Sequence, residues 1–443
     1  MILFLASVCI CLALGYLAAS FLWPSTLSRL TLWAFAWPVG AGLCSLIFFF
    51  FRRPMFTVEF ALLLALGAVW LLRGRPGPSH PGSMLRLPSV TLLVAGIVGF
   101  VVAGLIFLVH QDPHGDWDAF AIWNSHARYL YRDGPAWQTD IRNTFHPDYP
   151  LLVPSMNARV WRYAGEETPE TGGWLGILYT LSALAVLTAT LTELRGLRQA
   201  LIIGSVLIGT PFFLKYGVLQ AADVPLSLYF LCGIALLCLY SERGGGESGL
   251  LMLCGFMAGC AGWTKNEGLL YVLALAVCIL TPVVVRPAQT LRRFGSFGAG
   301  LFLPLGAIVV YKLMVSVPNE YLTNRHYSDI AEKLASPDRH LTVVANFSKT
   351  LWSFGDWAIN PLIPLLVFVG LCVVGGTAVR TFGWLTGASA LVLVIAGYFA
   401  IYVVAPYDLQ YLLDSSTPRL YLHLWPSFLL LAGALAVQYE HAP

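Results

Sequence analysis

The feature that most constrains this chain is its series of long apolar segments. A helix that crosses a bilayer needs about 20 mostly apolar residues. Segments of that kind recur near 2–22, 31–51, 56–73, 89–109, 174–192, 200–215, 223–240, 249–264, 267–285, 295–316, 360–379, 384–404 and 420–438. They predict an all-α polytopic membrane protein with about 13 spanning helices. The stretch 249–285 reads either as two short helices broken at Thr264-Lys265-Asn266-Glu267 or as a hairpin.

Composition closes off the soluble alternative. The 443 residues are 58% hydrophobic and only 11% charged, against about 25% charged in a soluble domain. No soluble fold of this size can hide so much apolar surface, because much of any folded surface faces water. The formal net charge of +3 forms no basic stripe, which argues against a nucleic-acid partner. The nine cysteines, among them Cys9, Cys44, Cys232, Cys254 and Cys278, sit mostly alone in apolar runs without ligand spacing, so they read as packing residues. Met1 to Ser20 lacks a basic leader and a clear cleavage site, so it reads as a retained first span.

Charge in the connecting loops sets an expected orientation. Arg73, Arg75 and Arg86, then Arg195 and Arg198, Arg243, Arg286 with Arg292 and Arg293, and Arg380 fall in alternate loops. The excess of positive charge in cytoplasmic loops places these inside. The long loops 110–173 and 317–359, and the shorter 405–419, then lie on the outer face with Lys215 and Lys265. Arg52 and Arg53 break the pattern. Loop 110–173 predicts one or two interfacial helices, with Trp117, Phe120, Ala121, Asn124 and Arg128 sharing a face.

Four polar stretches stand out at that outer face. In His114-Gly115-Asp116-Trp117-Asp118, a loop lets both carboxylates point into one cavity, one as general base and the other as metal ligand or orienting group. The plain alternative is a solvated loop with Asp118 as helix cap. His146-Pro147-Asp148-Tyr149-Pro150 predicts a rigid extended cavity wall or a turn back into the membrane. In Trp263-Thr264-Lys265-Asn266-Glu267, Lys265 offers a phosphate-binding charge or a mere snorkelling pair with Glu267. Before the last span, Arg419 and His423 lie four apart on one helix face, with a guanidinium fork suited to phosphate. Asp223, opening a span, is a cap or a cavity carboxylate.

In their order along the chain these stretches resemble the GT-C superfamily of membrane glycosyltransferases, especially the bacterial branch similar to lipopolysaccharide sugar transferases and protein mannosyltransferases. The likeness rests on Gly115-Asp116-Trp117-Asp118-Ala119-Phe120-Ala121-Ile122-Trp123, then His146 to Leu151, Ala222-Asp223-Val224-Pro225, Thr264-Lys265 and Arg419. It covers roughly residues 89–437, which leaves 1–88 as additional N-terminal helices and makes 89–443 the catalytic domain. Family members often carry adjacent acids where this chain has Trp117 between two. The resemblance implies transfer of a sugar from a polyprenyl-phosphate donor to a lipid, glycan or protein acceptor at the outer face of the bacterial inner membrane. It implies Asp116 or Asp118 as base, and Lys265, Arg419 and Arg128 on the donor phosphate. His146, Asp148, Tyr149, Asp223, Glu267 and His423 line the cavity. A divalent metal on Asp116, Asp118 and His146 is compatible with it, and no cofactor is required by it. Two other readings stay open from the residues: a transporter or flippase of a lipid-linked glycan, and a non-catalytic assembly subunit. The lack of an internal repeat argues against the transporter.

Overall fold

A computed structural model describes residues 2–73, 88–132, 134, 136–316, 327–358, 360–362, 364–368 and 381–435, and these residues form helices without a strand. Three N-terminal helices, α1 (Ile2–Ser20), α2 (Arg29–Phe51) and α3 (Met55–Leu72), precede α4 (Pro88–Gln111). Short helices α5 (Asn124–Arg132), α6 (Trp137–Arg142) and α7 (Leu152–Ala164) fill the first long loop. Then come α8 (Thr171–Arg195), α9 (Leu197–Ile208), α10 (Pro211–Val218), α11 (Asp223–Glu242), α12 (Ser248–Thr264), α13 (Asn266–Leu280) and α14 (Pro287–Val315). The chain closes with α15 (Tyr327–Ala335), α16 (Pro337–Ser353), α17 (Phe382–Val404) and α18 (Leu409–Leu435).

Among the described residues, nine helices are long and apolar enough to cross a membrane: α1 to α4, α8, α11, α13 with its 3₁₀ extension, α14 and α17. This is a membrane-embedded helical protein. Two of the sequence expectations change, and one that stood open between two forms is decided. The run 200–215 is not one straight span: α9 and α10 meet at a 66° bend, where Pro211 starts the second helix and Thr210 extends. The stretch 249–285 takes the first of its two expected forms: α12, a helix of 17 residues, is broken from α13 at Lys265, whose backbone is extended. Residues 420–438 belong, as far as Leu435, to a longer helix that begins at Leu409. Most of the span expected at 360–379, part of loop 317–359, and Arg75, Arg86 and Arg380 lie outside the described residues.

The core runs through α11, which is buried on every side. α12 lies against α14 so closely that a Cβ on Gly255 would collide with the Phe297 backbone; small residues let membrane helices approach in this way. The N-terminal helices are part of the same packing. α2 is buried along most of its length, Trp263 Nε1 donates to Ser45 Oγ at 2.9 Å, and Tyr229 donates to the Pro38 carbonyl at 3.1 Å. A fully buried ion pair ties α3 to α7, with Arg159 Nε 2.6 Å from Glu59 Oε1.

The long apolar helices alternate between two ends. At one end lie Arg29, Arg195 and Arg243, where Glu193 joins Ser28, Thr31 and Arg243. At the other end lie the first long loop, the α12–α13 junction, the end of α14 and the start of α18. There Arg142 Nε donates to the Val315 carbonyl at 2.8 Å, and Arg52 stacks over Trp137.

Candidate active site

The first long loop enters the site through a tight turn. Gly115 has φ +68°, and a Cβ there would stand 2.7 Å from the Leu219 carbonyl. Past the turn, Asp116 Oδ1 accepts the Ala119 N–H at 3.0 Å, so Asp116, and not Asp118, supplies the cap. Burial pushes the Asp116 carboxyl above its usual range; the Ala119 N–H opposes the rise and the Asp118 charge adds to it.

The turn that follows, Ala119–Trp123, is a π-helix. Its extra residue per turn rotates what comes after it. The face expected from Trp117, Phe120, Ala121, Asn124 and Arg128 is therefore split. Trp117 and Phe120 are exposed while Trp123, Asn124 and Ala127 are buried. Asn124 anchors the loop: its amide donates to Gln220 Oε1, and it accepts from Asn157 Nδ2, each at 2.8 Å. Arg128 points to Glu167, 3.7 Å away, and packs over Phe120.

His146 to Leu151 folds as a turn, not an extended wall. His146 has φ +49°, and its carbonyl accepts the Tyr149 N–H at 2.9 Å. The imidazole stacks on Tyr149, which stacks in turn on Trp123. Asp148 is drawn inward: its Oδ2 accepts from Asn266 Nδ2 at 2.8 Å and lies 3.6 Å from Lys312 Nζ.

The centre of the site is Asp223. The helix α11 begins at this residue, yet its side chain makes no capping bond. Its carboxylate is fully buried and takes three cation-capable partners. Oδ1 accepts from Lys265 Nζ at 3.2 Å and from His423 Nε2 at 2.7 Å. Oδ2 accepts from Arg419 Nε at 3.1 Å and from the second guanidinium arm at 2.8 Å. The remaining arm, Nη1, lies 2.6 Å from Asp118 Oδ2. Lys265 also holds Glu267 Oε1 at 2.9 Å. The His423 ring is bonded on both sides, with Tyr398 3.2 Å from Nδ1. A neutral ring meets both contacts if Nε2 carries the proton and Nδ1 accepts from the phenol.

These groups face a cavity of about 700 Å³. Asp118, His146, Asp148, Tyr149, Lys265, Glu267 and Arg419 line it, with aromatic residues such as Trp117, Phe145, Tyr398 and Tyr402. Asp223 and His423 stand behind its wall and Asp116 stands outside it; Arg128 takes no part in it. The residues do not fit a metal centre. Asp116 is committed to a backbone N–H and Asp118 to Arg419, and no group of three His, Cys, Asp or Glu among the described residues could hold an ion.

Two further participants carry a signal that sequence reasoning passed over. Lys312, the one basic residue near the end of a long apolar helix, bonds to Asn266 Oδ1 at 3.0 Å and to the Asp148 carbonyl. Tyr311 beside it donates to the Pro147 carbonyl at 2.6 Å. The rule that singled out Lys265, an ionisable residue at the membrane boundary, applies equally to Lys312. Comparison with family models, with curated proteins and with solved structures finds no match to this chain.

Proposed function

We propose that the chain is a GT-C-like membrane glycosyltransferase. In this reading it moves a sugar from a polyprenyl phosphate to a hydroxyl of a lipid, glycan or protein acceptor at the outer face of the bacterial inner membrane. One observation carries it: four stretches far apart in sequence, around Asp118, Asp148, Lys265 and Arg419, line a single cavity at one end of the bundle. An enzyme whose donor has its phosphate at the interface and its tail in lipid needs a cationic pocket at that depth. The same reading takes the bent pair, α12, α18 and the stretch 360–379 as spans besides the nine, about 13 in all.

The reaction follows from the residues. The acceptor oxygen attacks the anomeric carbon on the face opposite the phosphate, and configuration inverts. The new carbon–oxygen bond forms as the bond to the phosphate oxygen breaks. Asp118 accepts the acceptor proton, and the prenyl phosphate leaves with the electron pair. Lys265 and Arg419 balance the charge that grows on it. Asp118 takes this role in preference to Asp116 because its carboxylate faces the cavity. Asp223, itself bonded to His423, holds the two cations from behind, and Arg128 has no part in the step.

The test is direct. Purified protein given a sugar-charged polyprenyl phosphate and a mixture of hydroxyl acceptors is expected to release free prenyl phosphate. Release that never exceeds a protein-free control would overturn the reading. The α9–α10 bend suits the alternative of a lipid-glycan transporter, since transporters often use broken helices at their sites. No residue of that bend lines the cavity, however, and Thr210 there is held by Trp425 Nε1 at 3.0 Å.

A further inference from the structure

The two cations assigned to the donor phosphate are already occupied by carboxylates. Arg419 spans Asp118 and Asp223; Lys265 spans Glu267 and Asp223. With Lys312 and Asp148 included, the cluster holds one more carboxylate than cation. A phosphate cannot settle into such a cluster unless a carboxylate gives way, because unscreened like charges repel strongly there.

The surroundings decide which carboxylates yield. Asp223 is fully buried and is bonded to three side chains. Asp118 is 20% exposed and faces the cavity. Its carboxylate makes no cap to its own helix turn, and its ion pair is with one arm of Arg419. Glu267 is equally exposed and pairs with Lys265. Arg419 can thus keep its grip on Asp223 through Nε and one arm while the other arm changes partner.

The geometry points to a donor-triggered release of the base: the phosphate takes Asp118's place on Arg419 Nη1, and only then is the Asp118 carboxylate free in the cavity. This rests on the glycosyltransferase reading and adds a rule to it. Before the donor arrives, Asp118 is tied up in its ion pair with Arg419. Once the donor is bound, the base stands unpaired beside the place where an acceptor hydroxyl must come. Asp223 is then a positioning residue, which keeps Arg419 in place during the exchange.

Equilibrium binding of farnesyl monophosphate to the detergent-purified full chain tests this. Asp118→Asn should bind it roughly tenfold more tightly than the unmodified protein. The gain should vanish when Arg419→Gln is already present, because the competition runs through that side chain. Glu267→Gln should also tighten binding, and that gain should survive in the Arg419→Gln background. Size-exclusion profiles check folding, and Asp118→Ser replaces Asp118→Asn should the latter fail to fold. If the unmodified protein binds but neither Asp118 variant binds more tightly, or the gain persists without Arg419, the release is wrong and the reading beneath it stands. If the unmodified protein takes up no farnesyl monophosphate, both fall.

Discussion

Two carboxylates only two residues apart meet different surroundings, and the difference predicts different phenotypes. Asp116 accepts a backbone N–H outside the cavity, whereas Asp118 faces the cavity and Arg419. Asp116→Asn keeps an oxygen that can accept the Ala119 N–H, so prenyl-phosphate release should stay within about tenfold of the unmodified rate. Asp118→Asn should lower kcat by about 10²–10⁴, the usual contribution of a positioned base. Sequence spacing could mark the pair but could not divide the roles, because the division depends on the Gly115 turn and on Arg419, which is some 300 residues away. A second residue-scale expectation concerns His126, buried in the same loop, where burial lowers the imidazole to about 4 from its ordinary 6.5. The folded ring stays neutral between those values while an unfolded ring takes a proton. Stability of the loop is therefore complete above pH 6.5 and falls as pH drops toward about 4, by about 3 kcal/mol in all. Thermal unfolding followed across that pH window should show the fall, and His126→Gln should flatten it.

At the scale of elements, most spans were legible because length and hydropathy alone define a membrane helix. The exceptions have local causes. Pro211 and an extended Thr210 cut the run 200–215 in two. The π-turn at Ala119–Trp123 broke a helical face that a 3.6-residue period implied. The role of α3 was hidden for a different reason. Glu59 is a single acid in an apolar run, and its partner Arg159 lies in a loop helix 100 positions away. There the carboxylate accepts hydrogen bonds from Arg159 Nε and Nη2 at 2.6 and 3.0 Å and from the Tyr163 hydroxyl as well. The same guanidinium donates to the Ser7 carbonyl of α1 at 3.1 Å. This junction fastens the N-terminal helices to α7, whose first turn directly follows the His146–Leu151 turn. Glu59→Ala leaves a buried, unpaired guanidinium, a change that costs about 3–5 kcal/mol. The expected outcome is a lower midpoint in thermal unfolding and weaker prenyl-phosphate release, because the wall that carries Asp148 loses its support. Replacing Glu59 and Arg159 together by apolar residues of similar size should recover most of the midpoint. A midpoint that stays low in the double variant would show that the junction does more than neutralise charge.

At the scale of the whole molecule, the order of the helices and the charge of the loops give one consistent geometry. From α1 to α4, and again in the long helices from α8 onward with α9 and α10 taken as one bent pair, successive elements run between the same two ends. At one end Arg243 pairs with Glu193 and Arg195 with Glu242, with Arg29 next to the Ser28 that Glu193 also holds, and the cavity opens at the other end. Arg52 and Arg53, in the short connection between α2 and α3, break the pattern at the cavity end, where Arg52 stacks over the Trp137 ring at 4.5 Å. A cation held on an indole is weak evidence about orientation, so the expectation follows the clustered arginines: that end should be cytoplasmic and the cavity end outer. The consequence is measurable by labelling single cysteines placed in a chain whose natural cysteines have been replaced. Lys215→Cys, exposed on α10 near the cavity end, should react with a membrane-impermeant maleimide in intact spheroplasts. Arg198→Cys, at the opposite end on the first turn of α9, should react only after the membrane is opened. The reverse pattern would move the cavity to the cytoplasmic side. A lipid-phosphate donor would then have to be used on the inner leaflet, and the extracytoplasmic acceptors of the proposed reaction would be excluded, while the ion-pair geometry around Asp223 would be untouched.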